Sequence, residues 1–398
     1  MRRFWHNYCF KIVQSWWEVD QVIWLGEPEI WNVARGAAVL GSGGGGSTEN
    51  GLAMAVAAVR RMGPVRLVSP HELGDDALVM PAAFMGSPTI QSEKIPGRDA
   101  LVAPIRALEA HLGRRADALA PVEVGGVNCL ITLAMAASTG LPLVDGDGFG
   151  RALPELQMLT FSIYGMPGSP FVLVNDRGDE VLIRTRDNLA LEHVARGVTL
   201  RFGGLGYLAG YAMEGRRFKE CAVLYTVSLA ERIGRALRQA DGNLRESVLA
   251  LASVTANSTY GQAVLLADGQ VIGVQRRSGD GWGRGICSIL DELGRRFQLH
   301  FQNEFLYVES EGEPIAMVPD ILVVLEVDSQ RFLCTDELVY GQRVLILAIP
   351  VPAILRTAAA LQAIGPRAFG YELDYEPVES LATRSKGVIS GYAVDPWR

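Results

Sequence analysis

Asp145-Gly-Asp-Gly-Phe-Gly-Arg151 sets two carboxylates, a guanidinium and three glycines directly after the apolar run Leu141 to Val144. Such a run reads as a buried strand opening into a loop, and α/β proteins bind ligands at the C-terminal ends of their strands. Carboxylates at this spacing could share a proton, hold a divalent cation or accept from a substrate amide, and the glycines admit another backbone or a ligand at close range. Turn chemistry offers a competing account, an Asp-Gly turn with solvated carboxylates. The remaining polar constellations favour a site.

Glu123-Val-Gly-Gly-Val-Asn128 places a carboxylate at a strand end and an amide after two glycines. Helix capping or ligand binding accounts for Asn128, but capping leaves Glu123 unexplained. In Phe301-Gln-Asn-Glu304, read as a strand, His300, Gln302 and Glu304 share one face and Asn303 points opposite, so that face is either solvated or lines a pocket. Ser87 to Lys94 is a polar loop after a strand and carries Glu93 and Lys94, for which a surface ion pair is the simpler reading.

Gly41-Ser-Gly-Gly-Gly-Gly46 matches G-x-G-x-x-G before a helix, yet the segment before it reads as helix at least as well as strand, and no acid ends the next strand at Val65 to Ser69. The same loop resembles a phosphate loop, but Ser47 stands where that motif requires lysine. No nucleotide is expected. What survives is a set of glycine N–H groups at Gly43, Gly44, Gly45 and Gly46 opening onto a helix N-terminus, suited to an anionic group.

Other chemistries lack their residues. No G-x-S-x-G occurs, and the five histidines, His6, His71, His111, His193 and His300, lack H-E-x-x-H spacing. Five cysteines without C-x-x-C spacing indicate neither a disulfide framework nor a thiolate zinc site, which fits a reducing cytoplasm, and Cys129 in its apolar stretch reads as a small buried hydrophobe. A net charge of -7 exerts no pull on nucleic acid or anionic lipid. No uninterrupted apolar run reaches the about 18 residues that suggest a membrane span.

The elements that must position these residues come from 398 residues at 49% hydrophobic, enough for two large cores. Residues 1–26 hold four of the seven tryptophans and read as an N-terminal extension rather than a targeting signal. Helices are predicted at about Glu29 to Leu40, from Ser47 or Thr48, at Ala100 to Leu112 and at Asn128 to Ser138. They alternate with strands at Val65 to Ser69, Ala77 to Met85, Ala120 to Val124 and the run into Asp145. Beyond about Glu155 strands dominate, interrupted by helices at Tyr225 to Gln239 and Leu244 to Ala252. The organisation expected is an α/β N-terminal domain over 27–165 with the glycine-rich loop, followed by a β-rich (α+β) C-terminal domain over 166–398.

As a set, the glycine loop of residues 40 to 46, Met85-Gly-Ser-Pro-Thr89 with Glu93-Lys94, Glu123 to Asn128, Asp145 to Met158, Phe301 to Glu304, Val318-Pro-Asp320 and Gly365-Pro-Arg-Ala-Phe-Gly-Tyr371 resemble the S-methyl thiohydantoin desulfurase family. The resemblance runs collinearly over about residues 27 to 380. It implies the two-domain organisation and a hydrolase acting on a five-membered cyclic amide or its S-methylated thio analogue. Water would attack C2 of the ring, expelling methanethiol and leaving a hydantoin. That reaction needs a base or metal to activate water, donors for charge developing on the ring nitrogen and an acid for the departing sulfur.

The residues expected to supply this are Asp145 or Asp147 as base or as ligand of a divalent metal such as zinc, with Glu123 and Glu304 completing the cluster. Asn128 and Asn303 would orient the ring amides, Glu93 would join the substrate-binding set, and Arg151 or the amides of Gly43 to Gly46 would take an anionic substituent. The family's association with hydantoinase and oxoprolinase genes makes a non-catalytic accessory subunit the alternative, with such a partner or a second copy of this chain in contact.

Overall fold

The computed structural model describes residues 22–87, 90, 93–94, 99–279 and 282–384. Three apolar runs that do not alternate with polar residues, the pattern of strands covered on both faces, and Val65-Arg-Leu-Val68 form the parallel centre of a first sheet. They are β2 (Val65–Val68), β3 (Leu78–Gly86), β4 (Ala118–Pro121) and β5 (Leu143–Val144), arranged β2-β5-β4-β3. β1 (Ile23–Leu25) pairs antiparallel with β2 at one edge, so the end of the expected extension belongs to the domain, while residues 1–21 lie outside the described residues.

Helices close over the sheet: α1 (Glu27–Leu40), α2 (Thr48–Met62), α3 (Ala103–Leu112) and α4 (Asn128–Thr139). α4 is apolar all round, and Cys129 to Ala137 are buried without exception, as a helix inside a core must be. α2 is capped as its sequence predicts, the Ser47 hydroxyl accepting from the Glu49 N–H.

Short strands β6 (Gly146–Asp147), β7 (Phe171–Val174), β8 (Glu180–Ile183), β9 (Leu205–Ala209), β10 (Met213–Glu214) and β11 (Val223–Leu224) follow. β9, β7 and β8 extend the first sheet antiparallel from β3, and β10 also pairs with β3. The boundary expected at 165 therefore cuts through one sheet. Strand-rich composition there reflects antiparallel additions to the first domain, which periodicity cannot assign to one sheet or another.

α5 (Asn188–Arg201), α6 (Thr226–Gln239) and α7 (Leu244–Ala256) complete this body. α6 crosses α1 at backbone contact: a Cβ on Gly36 would lie 1.9 Å from the Ala230 carbonyl oxygen, and one on Gly234 would lie 1.8 Å from that of Asn32.

The second sheet is antiparallel throughout, in the order β16-β15-β14-β13-β12-β18-β17. Its strands are β12 (Val264–Gly279), β13 (Trp282–Leu290), β14 (Arg296–Gln302), β15 (Glu304–Ser310), β16 (Glu313–Met317), β17 (Ile321–Glu326) and β18 (Arg343–Ile349). The stretch read as one strand through Gln302 and Glu304 is a hairpin. Asn303 sits at its corner with φ +60°, so Gln302 and Glu304 oppose each other across β14 and β15.

Arg151 ties the first body to the second, and Asp320 ties the C-terminal segment to the second sheet. The buried Arg151 guanidinium donates to the carbonyls of Ala152, Phe305, Pro319 and Asp320. The Asp320 carboxylate accepts from the Val351 and Val378 N–H groups, from Arg356 and from the Tyr375 hydroxyl.

Candidate active site

The C-terminal ends of β3 and β4 open into a cavity of about 920 Å³ between the two sheets. Glu123 and Asn128 line it from the first domain, Asn303 and Glu304 from the second, and Gly43 to Gly46 form part of its wall. This is the crevice position at which open α/β sheets bind ligands.

The two glycine motifs account for each other. The backbone of the α1–α2 loop lies directly on Gly125-Gly126: the Gly126 N–H donates to the Ala37 carbonyl at 2.8 Å, and the Val127 N–H to the Gly45 carbonyl at 2.9 Å. A Cβ on Gly126 would sit 2.4 Å from the Gly45 carbonyl, and both residues have positive φ, +71° and +72°. The Gly44 N–H is spent on the Gly41 carbonyl. The carboxyl group this loop meets is the chain's own Glu304, whose Oε1 lies 2.3 Å from where a Gly44 Cβ would be. The loop thus packs against Glu304, while Gly43 to Gly46 also line the cavity.

Asn128, the first residue of α4, ties the domain's two central strands to the site. Its Oδ1 accepts from the Phe84 N–H on β3 at 2.8 Å, and its Nδ2 donates to Glu123 Oε1 at 2.6 Å. Glu123 Oε2 and Glu304 Oε2 are both buried without a hydrogen-bond partner among the described residues. Buried unpaired polar atoms are costly, so such atoms facing a cavity mark a place for a ligand or water. Burial pushes both carboxyls up to about 8. The Asn128 amide and the Leu153 backbone N–H oppose this at Glu123, while at Glu304 the Glu123 charge adds to it and Arg151 opposes it.

Asp145 and Asp147 stand apart from this cavity. Asp145 Oδ1 accepts from the Val227 and Ser228 N–H groups, both at 3.0 Å, and caps the first turn of α6. Asp147 Oδ2 accepts from Val124, Phe149 and Gly150 N–H groups, and Oδ1 from Gly150 again. Neither lines the cavity, and burial raises them to about 6 and about 7 respectively. Most of their donors are backbone groups brought in by folding, with the Ser228 and Thr226 hydroxyls beside them, and the two carboxylates shape a turn and a helix start away from the cavity.

Arg151 likewise has four of its five N–H donors on carbonyls behind the site, and it does not line the cavity. Glu93 is exposed and does not line the cavity, and Lys94 Nζ reaches Asp176 and the Phe202 carbonyl instead of Glu93. Pro88, Thr89, Gln91 and Ser92 of that loop lie outside the described residues. Among the described residues no group of three or more His, Cys, Asp or Glu side chains is placed to hold a metal ion. The cavity lining carries Glu123, Glu155, Glu304, Asp336 and Cys334, but no three of them converge on one point as the three or four protein ligands of a zinc site must, so the donor set does not fit zinc.

The sequence reading missed the mouth. Arg276 and Arg277 on β12 and Arg284 on β13 line it, Arg277 facing Arg284 across the hairpin. Arg276 is partly committed to the carbonyls of Thr335, Asp336 and Leu338. The signal was the Arg276-Arg277 pair with Arg284 just beyond the hairpin turn. A further cavity of about 980 Å³ lies across the glycine loop; of its carboxylates Glu27 and Glu337 are ion-paired with Arg60 and Arg331, and neither Glu123 nor Glu304 reaches it.

An α/β domain joined to an antiparallel sheet domain, with a buried pair of carboxyls where they meet, defines the class. Models of the S-Me-THD-like N-terminal domain and the S-Me-THD-like C-terminal domain match residues 28–185 and 186–378, and the chain belongs to this S-Me-THD-like family. The crystal structure of a protein from Chromobacterium violaceum is similar over 89% of this chain and 100% of its own, with a TM-score of 0.76 and 26% identity. No curated protein matches. No helix among the described residues is long and apolar enough to cross a membrane.

Proposed function

We propose that this chain hydrolyses the amidine-like carbon of a five-membered ring of the S-methyl thiohydantoin class, releasing methanethiol and leaving the hydantoin. The observation that carries this reading is the facing of Glu123 and Glu304 on one cavity, each with a buried, unpartnered Oε2. A neutral carboxyl donates and accepts at once, which suits a ring presenting both N–H and C=O or C=N groups. A carboxyl that titrates near the working pH can take a proton from water and return one to a leaving group. Asn303 and Asn128 remain the amides closest to such a ring, and the anion-binding role passes from Arg151 to the mouth arginines.

The test is methanethiol release, followed with a thiol reagent, from S-methyl thiohydantoin incubated with the purified chain. Release that falls about 100- to 10,000-fold in Glu304→Gln supports the reading. Absence of turnover on this compound and on a panel of hydantoins favours the accessory-subunit role, for which a hydantoinase-type partner or a second copy would then be sought by co-purification. Metal analysis of the same preparation, and activity after chelator treatment, test the carboxyl-only route directly.

A further inference from the structure

Glu304 follows the corner of the β14–β15 hairpin, and the chain is tied down on both sides of it. On one side the Asn303 carbonyl accepts from the Thr335 hydroxyl at 2.8 Å. On the other, Phe305 is bound twice by Ser42 of the glycine loop. Its N–H donates to the Ser42 carbonyl at 2.7 Å, and its carbonyl accepts from the Ser42 hydroxyl at 3.2 Å. The same hydroxyl accepts from the Leu322 N–H at 3.1 Å. Leu322 lies on β17, which is not a neighbour of β15 in the second sheet. A fully buried residue of the first domain thus bridges two separate strands of the second, next to the residue that supplies one carboxyl of the site.

Ser42 holds this place against its own backbone preference. Within Gly41-Ser-Gly-Gly-Gly-Gly46 it alone has a side chain, yet its φ is +52°, in the left-handed region shared with Gly43, Gly45 and Gly46. Glycine would make the turn with less strain, so what serine adds is the hydroxyl. Its donor goes to β15 and it accepts from β17. The loop continues the seat: the Gly43 carbonyl accepts from the Thr335 N–H at 2.9 Å, and Gly44 lies against Glu304 Oε1. Thr335 therefore holds the loop with its N–H and the hairpin corner with its hydroxyl.

Resting on the hydrolase reading, we infer that Ser42 is a positioning residue for Glu304, with Thr335 fixing the other side of the same corner. Ser42 does not line the cavity, so it acts through Glu304 and not on the ring. The consequence is a split between rate and binding. A carboxyl displaced by about 1 Å from its reacting partner can cost about 100-fold in rate. The ring keeps its other contacts on the cavity lining.

Two measurements on the full chain test this. Ser42→Gly removes the hydroxyl and leaves a residue that takes φ +52° readily, so the turn survives. With S-methyl thiohydantoin as substrate, kcat should fall at least about tenfold and KM should stay within about twofold of the parent. In the ligand-free protein, infrared difference spectra against Glu304→Gln follow the Glu304 carboxyl through pH. Burial pushes that group up to about 8, with the Glu123 charge adding to it and Arg151 opposing it. A Glu304 released from its seat gains water and should ionise at lower pH in Ser42→Gly. A residue that only stabilised the fold would lower the melting temperature and move neither readout.

Thr335→Val keeps the N–H to Gly43 and loses the hydroxyl to Asn303, so it should move both readouts in the same direction. It decides alone should Ser42→Gly fail to fold. An unmoved Glu304 titration, an unchanged kcat, or a KM that rises as far as kcat falls overturns the inference. A Glu304 titration that moves as stated, in variants of a parent that releases no methanethiol, overturns the hydrolase reading and leaves the seating of Glu304 by Ser42 standing.

Discussion

The Glu304 carboxyl occupies the space beside Gly44 that any side chain would need, its Oε1 lying 2.3 Å and its Cγ 2.4 Å from the position of a Gly44 Cβ. Gly44 does not have positive φ, so alanine there meets a side chain and not a forbidden backbone. We expect Gly44→Ala to displace Glu304 and cut turnover at least tenfold while shifting the melting temperature by only a few degrees, on the order of 1 kcal/mol. Gly45→Ala is the contrast, because its φ of +72° and its contact with the Gly125 carbonyl make that substitution a folding defect. Thermal melts beside methanethiol assays separate the two, and equal loss of stability in both variants would make the loop structural only.

The raised carboxyls carry a stability signature of definite sign. Glu123 and Glu304 start from 4.5 and titrate at about 8 in the fold because burial penalises their charged forms. Their contribution is therefore complete below about pH 4.5 and is lost as pH rises through about 8, and Asp147, at about 7, acts in the same direction. Glutamine reproduces neutral Glu123, with its amide N–H in place of the Oε2 proton. Glu123→Gln should thus match the parent's melting temperature at about pH 5 and exceed it at about pH 9. A parent that gains stability across this interval would contradict the burial of both groups.

Arg151→Met tests the joint between the domains. The substitution leaves the buried carbonyls of Ala152, Phe305, Pro319 and Asp320 short of a donor, at a cost of at least about 2 kcal/mol. Denaturant unfolding should show that loss. A variant of undiminished stability with a raised KM would restore Arg151 to the substrate.

These assignments show where the sequence was legible. The helices from Glu27, Thr48, Asn128 and Thr226 and most of the central strands were readable because period and capping are local properties. Glu123, Asn128 and Glu304 stood out because glycines or amides flank them. The hairpin at Asn303 was hidden because a positive φ at an asparagine has no apolar period to betray it, and with it went the correct partner of Glu304. Asp145 and Asp147 lie off the cavity for a different reason. Whether a carboxylate is free depends on backbone donors from α6 and from the Val124 region, which only tertiary structure delivers.

The mouth arginines bear on specificity. Arg277 and Arg284 are exposed and face each other across the β12–β13 hairpin, so in the absence of an anion they repel. Replacing both by serine should raise KM for a ring bearing a carboxylate substituent by about tenfold and leave kcat and KM for the unsubstituted ring nearly unchanged. The difference should shrink in high salt. Identical KM changes for charged and neutral substrates would point to a structural effect of the hairpin.

Asp147→Asn separates folding from chemistry most sharply. Two carboxylate oxygens here accept from Val124, Phe149 and Gly150 N–H groups, Gly150 reaching both, and an asparagine can present only one acceptor oxygen to them. The amide NH₂ would then point at a backbone N–H, leaving a buried donor unpaired at a cost of about 1–3 kcal/mol. The substitution should therefore lower stability and reduce the yield of folded protein, while the fraction that folds keeps a kcat within about tenfold of the parent. Glu304→Gln should do the reverse, folding at least as well as the parent and losing about 100- to 10,000-fold in rate. Active-site titration of the folded fraction beside thermal melts measures both quantities. An Asp147→Asn protein of parental stability that releases no methanethiol would return Asp147 to the catalytic machinery.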